Sequence, residues 1–342
     1  MANTSNKPLT PKSFDSLAQV FDAFNDLKVL IVGDIMLDAY VYGRVNRISP
    51  EAPVPVVHVT KREQRLGGAA NVALNLHALG ATPVLCSVIG NDTEGGRVLE
   101  LLKDCGMPAN GIIKSDHRIT TVKERVLAGQ QQMLRVDTEM VSPLSDLERK
   151  SLTQQIRELA STVDVVVFED YDKGTLSESV ITETIAYCNE LNIPTVVDPK
   201  KRNFLYYKGA TLFKPNLKEL REGLKVDVDP GDMDSIQAAA KALQEALQAQ
   251  MVMVTLSEHG VFMKDNGHTH LIPAHVRRIS DVSGAGDTVI SVVACGLAAK
   301  LDAQKTAAIA NLAGGLVCEH VGVVPVDKAD LGREIEDIGL LD

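Results

Sequence analysis

The 342-residue chain is 45% hydrophobic and 23% charged, enough for one large α/β domain or two small ones with a sizeable core. Its net charge of −10 argues against a general nucleic-acid binder or a membrane-surface protein, and no apolar run approaches the roughly 18 residues of a membrane helix. Five scattered cysteines without a CxxC pair exclude a zinc site or disulfide framework and point to a reducing cytoplasm.

Residues 1–11 are polar and lack the apolar core of a signal peptide, so they read as a disordered tail ahead of a folded domain over 12–342. Helical spacing from Phe14 to Phe24 leads into the apolar run 28–33, a buried parallel strand. Asp34 follows at its carboxyl end, where open α/β sheets bind ligands. Asp38 comes four residues later. Both carboxylates could accept hydrogen bonds from a polyol, and Asp38 reads equally as a solvated turn residue. From Ala39 to Thr60 the pattern is β-like, and Pro50, Pro53 and Pro55 restrict it to edge or lid strands. Gly67 and Gly68 then precede a helix with Val72, Leu76 and Leu79 on its apolar face and Gly80 as its stop. The pair lacks the spacing of a dinucleotide or P-loop fingerprint.

A strand over 82–89 and a helix over 92–105 come next, then β alternation over 112–136 that puts Lys123 and Arg125 on one face. Ser145 and Glu148 form a capping box for a helix to Leu159. Strands and helices then alternate to about residue 256, with a last helix over 303–319. That rhythm predicts a parallel sheet with helices on both faces. Polar residues follow four of the strands: Glu169 to Gly174, Asp198 to Lys200, Lys214 to Glu219, and Ser257 to Gly260. Any one could be a solvated turn. Four in succession imply one cleft.

The sharpest signal is Asp281-Val-Ser-Gly284-Ala285-Gly286-Asp287-Thr288, ahead of an apolar helix through Val289, Val292, Val293 and Leu297. The glycines let the backbone turn sharply, and the helix terminus aims N–H groups and its positive dipole end at an anion such as phosphate. Asp287 would repel phosphate, so it makes sense as a base for an attacking hydroxyl. The plainer alternative is that Ser283 and Asp287 cap the helix.

This string resembles the D-x-x-G-A-G-D-[ST] motif of the ribokinase-like (PfkB) carbohydrate kinases, and matching order and spacing extend from about Val29 to Pro325. The resemblance implies a three-layer αβα sandwich with a mostly parallel sheet and a small β-sheet lid from segments 38–65 and 111–137. It implies ATP and Mg²⁺ as cofactors and leaves room for a monovalent cation. Asp287 becomes the base, within a catalytic loop of Gly284, Ala285 and Gly286. Gly67, Gly68 and Asn71 become sugar contacts, joined by Asp34, Asp38, Asn46, Lys123, Arg125 and Asp172. Asn216 and Glu219, an N-x-x-E element, would orient Mg²⁺ through water, while Ser257, Gly260 and Asn311 would face the nucleotide. A homodimer through the lid is implied as well, and Ile48, Val54, Val56 and Val57 are apolar enough to support it.

More narrowly, residues 33–38, 47–56 and 214–219 resemble the branch that phosphorylates the anomeric hydroxyl of D-glycero-D-manno-heptose 7-phosphate, toward the lipopolysaccharide core. The segments 38–70 and 111–137 together hold ten basic and six acidic residues, a positive field suited to a sugar that already carries a phosphate. Arg125 is the first choice for that phosphate, because a guanidinium grips it with two parallel hydrogen bonds; Lys123 is adjacent. No H-x-G-H motif of a fused nucleotidyltransferase is present, so a stand-alone kinase is expected. Other readings compete: a kinase of another sugar or sugar phosphate in the same family, a non-catalytic nucleotide-binding regulator on the same fold, and a dinucleotide-dependent oxidoreductase. The last is disfavoured because no GxGxxG follows the first strand.

Overall fold

The computed structural model describes residues 10–340 except 130 and 266, so all but the end of the tail expected over 1–11 lies outside the described residues. The chain lays down β1 (Lys28–Gly33), β2 (Ile35–Ile48), β3 (Pro55–Gly68), β4 (Thr82–Gly90), β5 (Ile112–Ser115), β6 (Thr121–Ala128) and β7 (Gln131–Thr138). It continues through β8 (Val165–Glu169), β9 (Thr195–Asp198), β10 (Leu212–Phe213), β11 (Met251–Thr255), β12 (Val261–Lys264) and β13 (Thr269–Ile272). Nine of these strands form one sheet in the order β13-β12-β11-β10-β9-β8-β1-β4-β5, parallel except at the β11, β12 and β13 edge.

β1 explains why helices cover both faces. Side chains alternate along a strand, and here both sets are apolar. Val29 and Ile31 join one buried cluster with Leu76, Val292 and Ile309, while Leu30 and Val32 join another with Phe168, Tyr207 and Phe213. Each such side chain contributes roughly 1.5–3 kcal/mol when fully buried. A strand with two apolar faces can only be central.

The second, smaller sheet, in the order β3-β2-β6-β7, is built from the segments expected as the lid, and that label is kept for it. It starts earlier than expected. β2 begins at Ile35, directly after Asp34, and pairs with β3 as far back as Gly68. Asp38 is therefore a buried strand residue at the root of the lid, between Arg65 of β3 and Lys123 of β6, and not a solvated turn. The second lid segment starts later than the predicted residue 111. β5 pairs with β4 at the edge of the main sheet, and the lid resumes at Thr121. Alternation marks a strand without saying which sheet it joins.

The sequence reading also missed the hairpin β12–β13 and the helix Lys328–Asp337. The strands are only four residues each. The helix had a readable signal, since Asp327 caps it by accepting from the N–H groups of Ala329 and Asp330, and Leu331 and Ile335 are buried at helical spacing. Among the described residues no helix is long and apolar enough to cross a membrane.

Candidate active site

The parallel strands deliver acidic residues to one point. Glu169 ends β8, Asp198 ends β9, and the two are register partners. The helix Ala285–Ala298 brings Asp287 in from above, so that one carboxylate oxygen of each lies within 4.8 Å of the others. All three residues are buried. Lys214, beyond β10, puts its ammonium 2.8 Å from Asp198 Oδ2. Burial alone would lower the Lys214 pKa, but Asp198, with Glu219 and Glu169, outweighs it and the value is raised. Burial, reinforced by Asp198 and Asp287, pushes the Glu169 carboxyl well above its usual range, and its Oε2 has no hydrogen-bond partner.

Asp287 is held from two sides. The Tyr171 hydroxyl donates to Oδ1 at 2.7 Å and Asn71 Nδ2 donates to Oδ2 at 2.6 Å. Burial raises its pKa to about 6 even though these two hydrogen bonds pull it down. The helix begins at Gly284, whose φ is 83°, with no side-chain cap bond. Asp287 thus faces the cleft and does not cap its own helix. Gly286 sits beside the cluster: a Cβ there would lie 3.5 Å from Asp198 Oδ2.

On the lid side, Asp34 accepts from the N–H groups of Tyr171, Lys173 and Thr175 at 2.9, 3.0 and 3.1 Å, so it latches the loop after β8. Asp38 pairs with Arg125, whose guanidinium also lies 5.4 Å from the Tyr40 ring centroid. The Asp38 carboxylate occupies the space a Gly67 side chain would need, since a Cβ would come within 2.2 Å of Oδ2. Burial would lower the Arg125 pKa, but Asp38 raises it. Arg125, the first choice for the sugar phosphate, is thus engaged by Asp38. Lys123, half-buried on the same strand face, has no ion pair among the described residues and stands 5.7 Å from the Tyr171 ring centroid. Asp172 lies in the same loop at φ 57°, with its buried Oδ1 unpartnered. Asn46 is not brought to this cluster; it is exposed near the far end of β2, at an irregularity in the pairing.

On the other side of the cleft, Asn216 and Glu219 form a reciprocal capping box for the helix Leu217–Leu224. Glu219 Oε2 accepts the Asn216 N–H at 2.9 Å and Oε1 meets Lys200 Nζ at 2.7 Å. The Glu219 carboxylate is thus engaged by a cap and a lysine, and among the described residues Glu169, Asp198 and Asp287 bring carboxylate oxygens within reach of one ion. The same four letters, N-x-x-E, serve a helix cap and a metal motif. Ser257 and Gly260 close the turn after β11 with φ of 53° and 89°, and Asn311 donates to the Pro273 carbonyl at 2.9 Å. Tyr171 and Lys214 were not singled out from sequence. Their only signal was a place just beyond a strand's carboxyl end.

The pfkB carbohydrate kinase family matches residues 26–329. The chain belongs to that family. Among curated relatives, the bifunctional protein HldE of Methylobacillus flagellatus is 41% identical over 309 residues, covering 90% of this chain and 63% of that protein. The bifunctional protein HldE of Mesorhizobium japonicum is 41% identical over 323 residues, 94% of this chain and 64% of that one. The chain therefore spans just under two thirds of these relatives' length. Among solved structures, Escherichia coli phosphofructokinase-2 in complex with potassium superposes with a TM-score of 0.77 at 20% identity, over 91% of this chain and 98% of that one. Arabidopsis thaliana ribokinase with ribose and ATP gives 0.71 at 16%, over 90% and 99%. These place the fold as ribokinase-like, with the second sheet as a separate small unit, and the enzyme is a carbohydrate kinase.

Proposed function

We propose that this kinase transfers the γ-phosphoryl group of ATP to the anomeric hydroxyl of D-glycero-D-manno-heptose 7-phosphate, giving the 1,7-bisphosphate for lipopolysaccharide core synthesis in the cytoplasm. The observation that carries the reaction type is Asp287, buried, its pKa raised to about 6 and both oxygens oriented by donors, beside a helix N-terminus. A base near neutral pKa balances protonation state against driving force. The heptose rests on the residues of 33–38, 47–56 and 214–219, and the relatives that share about 40% identity are named HldE.

In the reaction the sugar oxygen forms a bond to the γ-phosphorus as the bond to the β–γ bridging oxygen breaks. ADP leaves with that oxygen and its electron pair, and the hydroxyl proton passes to Asp287. First-turn N–H groups around Gly284, Ala285 and Gly286 face the phosphate charge. Asn71 holds the base, Gly67 and Gly68 let the lid root close on Asp34 and Asp38, and Lys123 with Arg125 offers charge to the 7-phosphate. Ser257, Gly260 and Asn311 form the nucleotide side, with Asn216 and Glu219 holding Lys200 toward it. Glu169 and Asp198 fit Mg²⁺: hard oxygen donors, one of them an orphaned buried atom. When bound, the ion would neutralise phosphate charge.

The lid strands hold eight basic and four acidic residues, so their positive excess stands even without 111–120. Ile48, Val54, Leu134 and Val136 are exposed on the lid, which supports dimerisation through it. Incubation with ATP, Mg²⁺ and a panel of sugars, read as ADP formed, tests the assignment. Equal efficiency on heptose and its 7-phosphate would refute it, and a monomer at micromolar concentration in analytical ultracentrifugation would remove the dimer.

A further inference from the structure

We propose that Tyr171 is a positioning residue of the transfer: its hydroxyl fixes the plane of the Asp287 carboxylate, and its ring keeps water from the place of the sugar hydroxyl. This rests on the kinase reading and on Asp287 as base.

The argument starts from the loop. A side chain two residues beyond a strand end would ordinarily be free to swing. Here one carboxylate, Asp34, accepts three N–H groups of residues 171–175. Asp172 takes a left-handed φ of 57° and donates its N–H to Asp170 Oδ1 at 2.8 Å. Gly174, at φ 92°, packs so closely on the Ser142 carbonyl that a Cβ would lie 2.1 Å from it. Arg118 then ties the Lys173 and Ser142 carbonyls together. Strained and immobilised backbone of this kind persists where what it carries must not move.

What the loop carries is a phenol aimed at the base. Its hydroxyl lies 2.7 Å from Asp287 Oδ1. A phenol hydroxyl can donate one hydrogen bond, and here an ionised carboxylate is the acceptor. Asn71 holds the other oxygen, and the carboxylate cannot rotate without breaking a bond on one side. Each carboxylate oxygen keeps a second acceptor site, which leaves room for an incoming hydroxyl. Two ammonium groups approach the ring, Lys123 on the lid at 5.7 Å and Lys200, the partner of Glu219, at 5.3 Å from the centroid. The ring therefore walls the base where the two halves of the cleft meet. The wall matters because water could attack the γ-phosphorus in the sugar's place, yielding ADP and inorganic phosphate and giving its proton to Asp287.

Two variants separate the hydroxyl from the ring. Tyr171→Phe keeps the wall and loses the hydrogen bond, so kcat should fall roughly 10- to 100-fold, the size of one hydrogen bond to a charged group. KM for either substrate should stay within about twofold, because the interaction is with the base and not with a ligand. Tyr171→Ala opens the wall, and phosphate released without sugar should rise at least about 10-fold relative to sugar phosphorylated. A merely structural role would lower the amount of active enzyme and leave that ratio unchanged. A Phe variant with kcat within about twofold of wild type, or an Ala variant with no extra phosphate release, overturns the proposal. Should Tyr171→Ala fail to fold, the Phe kinetics decide alone. A wild type that phosphorylates no sugar overturns the functional reading and this proposal together, whereas an active wild type with an unaffected Phe variant overturns only the role of Tyr171.

Discussion

Two sets of carboxylates face the cleft, and they are built in opposite ways. Asp34 and Asp38, at the root of the lid, are saturated by the protein itself: three backbone N–H groups on one, the Arg125 guanidinium on the other. Glu169, Asp198 and Asp287, at two strand ends and a helix start, crowd three buried carboxylates together on few donors: Tyr171 and Asn71 on Asp287, the Lys214 ammonium on Asp198, and none on one Glu169 oxygen. A buried carboxylate with its donors in place fixes shape. One left short of donors is waiting for charge from a ligand. The lid root therefore sets geometry, and the strand ends carry chemistry. Substitutions in the two sets should differ in kind, one group costing stability and the other activity.

The largest effect should come from the undersupplied set. Asp287→Asn keeps the shape and loses the basicity, so kcat should drop by ~10²–10⁴-fold while nucleotide still binds. Steady-state kinetics beside a nucleotide-binding titration would check this, and a variant within a few-fold of wild type would break the division between the sets. Next comes the saturated set. Arg125→Ala leaves Asp38 buried without its partner, so the fold should lose about 3 kcal/mol in denaturant unfolding. Adding Asp38→Asn should recover part of that loss, since the orphaned charge is removed. If the single variant unfolds like wild type, the lid root is not held by this pair.

How far the sequence revealed this contrast differs by element. β1 and Asp34 were legible because a run apolar on both faces must be central, and its carboxyl end must open on the cleft. The Gly284 to Asp287 turn was legible because few other roles explain a carboxylate at a phosphate-binding helix terminus. The commitment of Arg125 to Asp38 was hidden, since it depends on β2 and β6 lying side by side across 87 residues of sequence. Glu169 was legible only as one of several polar strand ends that imply a cleft: the same residue types follow strands as ordinary turns, and only the register with Asp198 makes them a cluster. Local patterns were readable, and pairings between distant segments were not.

The lid offers a sharper test through a residue that belongs to neither set. Lys123 has no carboxylate partner among the described residues, so Lys123→Ala should leave stability within about 0.5 kcal/mol. Its burial and the nearby Lys173 already lower its pKa, so a phosphate dianion would be its natural counter-charge. Efficiency on the 7-phosphate should fall by about 1.5–3 kcal/mol, with the unphosphorylated sugar little affected. Equal losses on both sugars would take Lys123 away from the phosphate.

The smallest effect is also the most specific. Glu169→Gln keeps volume and removes one charge from a group that has no partner for it. In the absence of divalent cation the repulsion with Asp198 and Asp287 is relieved, so the variant should be more stable than wild type by about 1 kcal/mol. In the presence of Mg²⁺ the order should reverse, because wild type then binds an ion that the variant holds less well, and binding to the native state adds stability. The expected observation is a crossing of the two thermal unfolding midpoints as Mg²⁺ is titrated. Protonation of Glu169, whose carboxyl lies well above its usual range, would produce a similar relief in wild type, so the comparison belongs at a pH above that raised value, where the carboxyl is ionised. Parallel curves with no crossing would mean that Glu169 feels neither its neighbours nor the ion, and the strand-end cluster would then have to be redrawn without it.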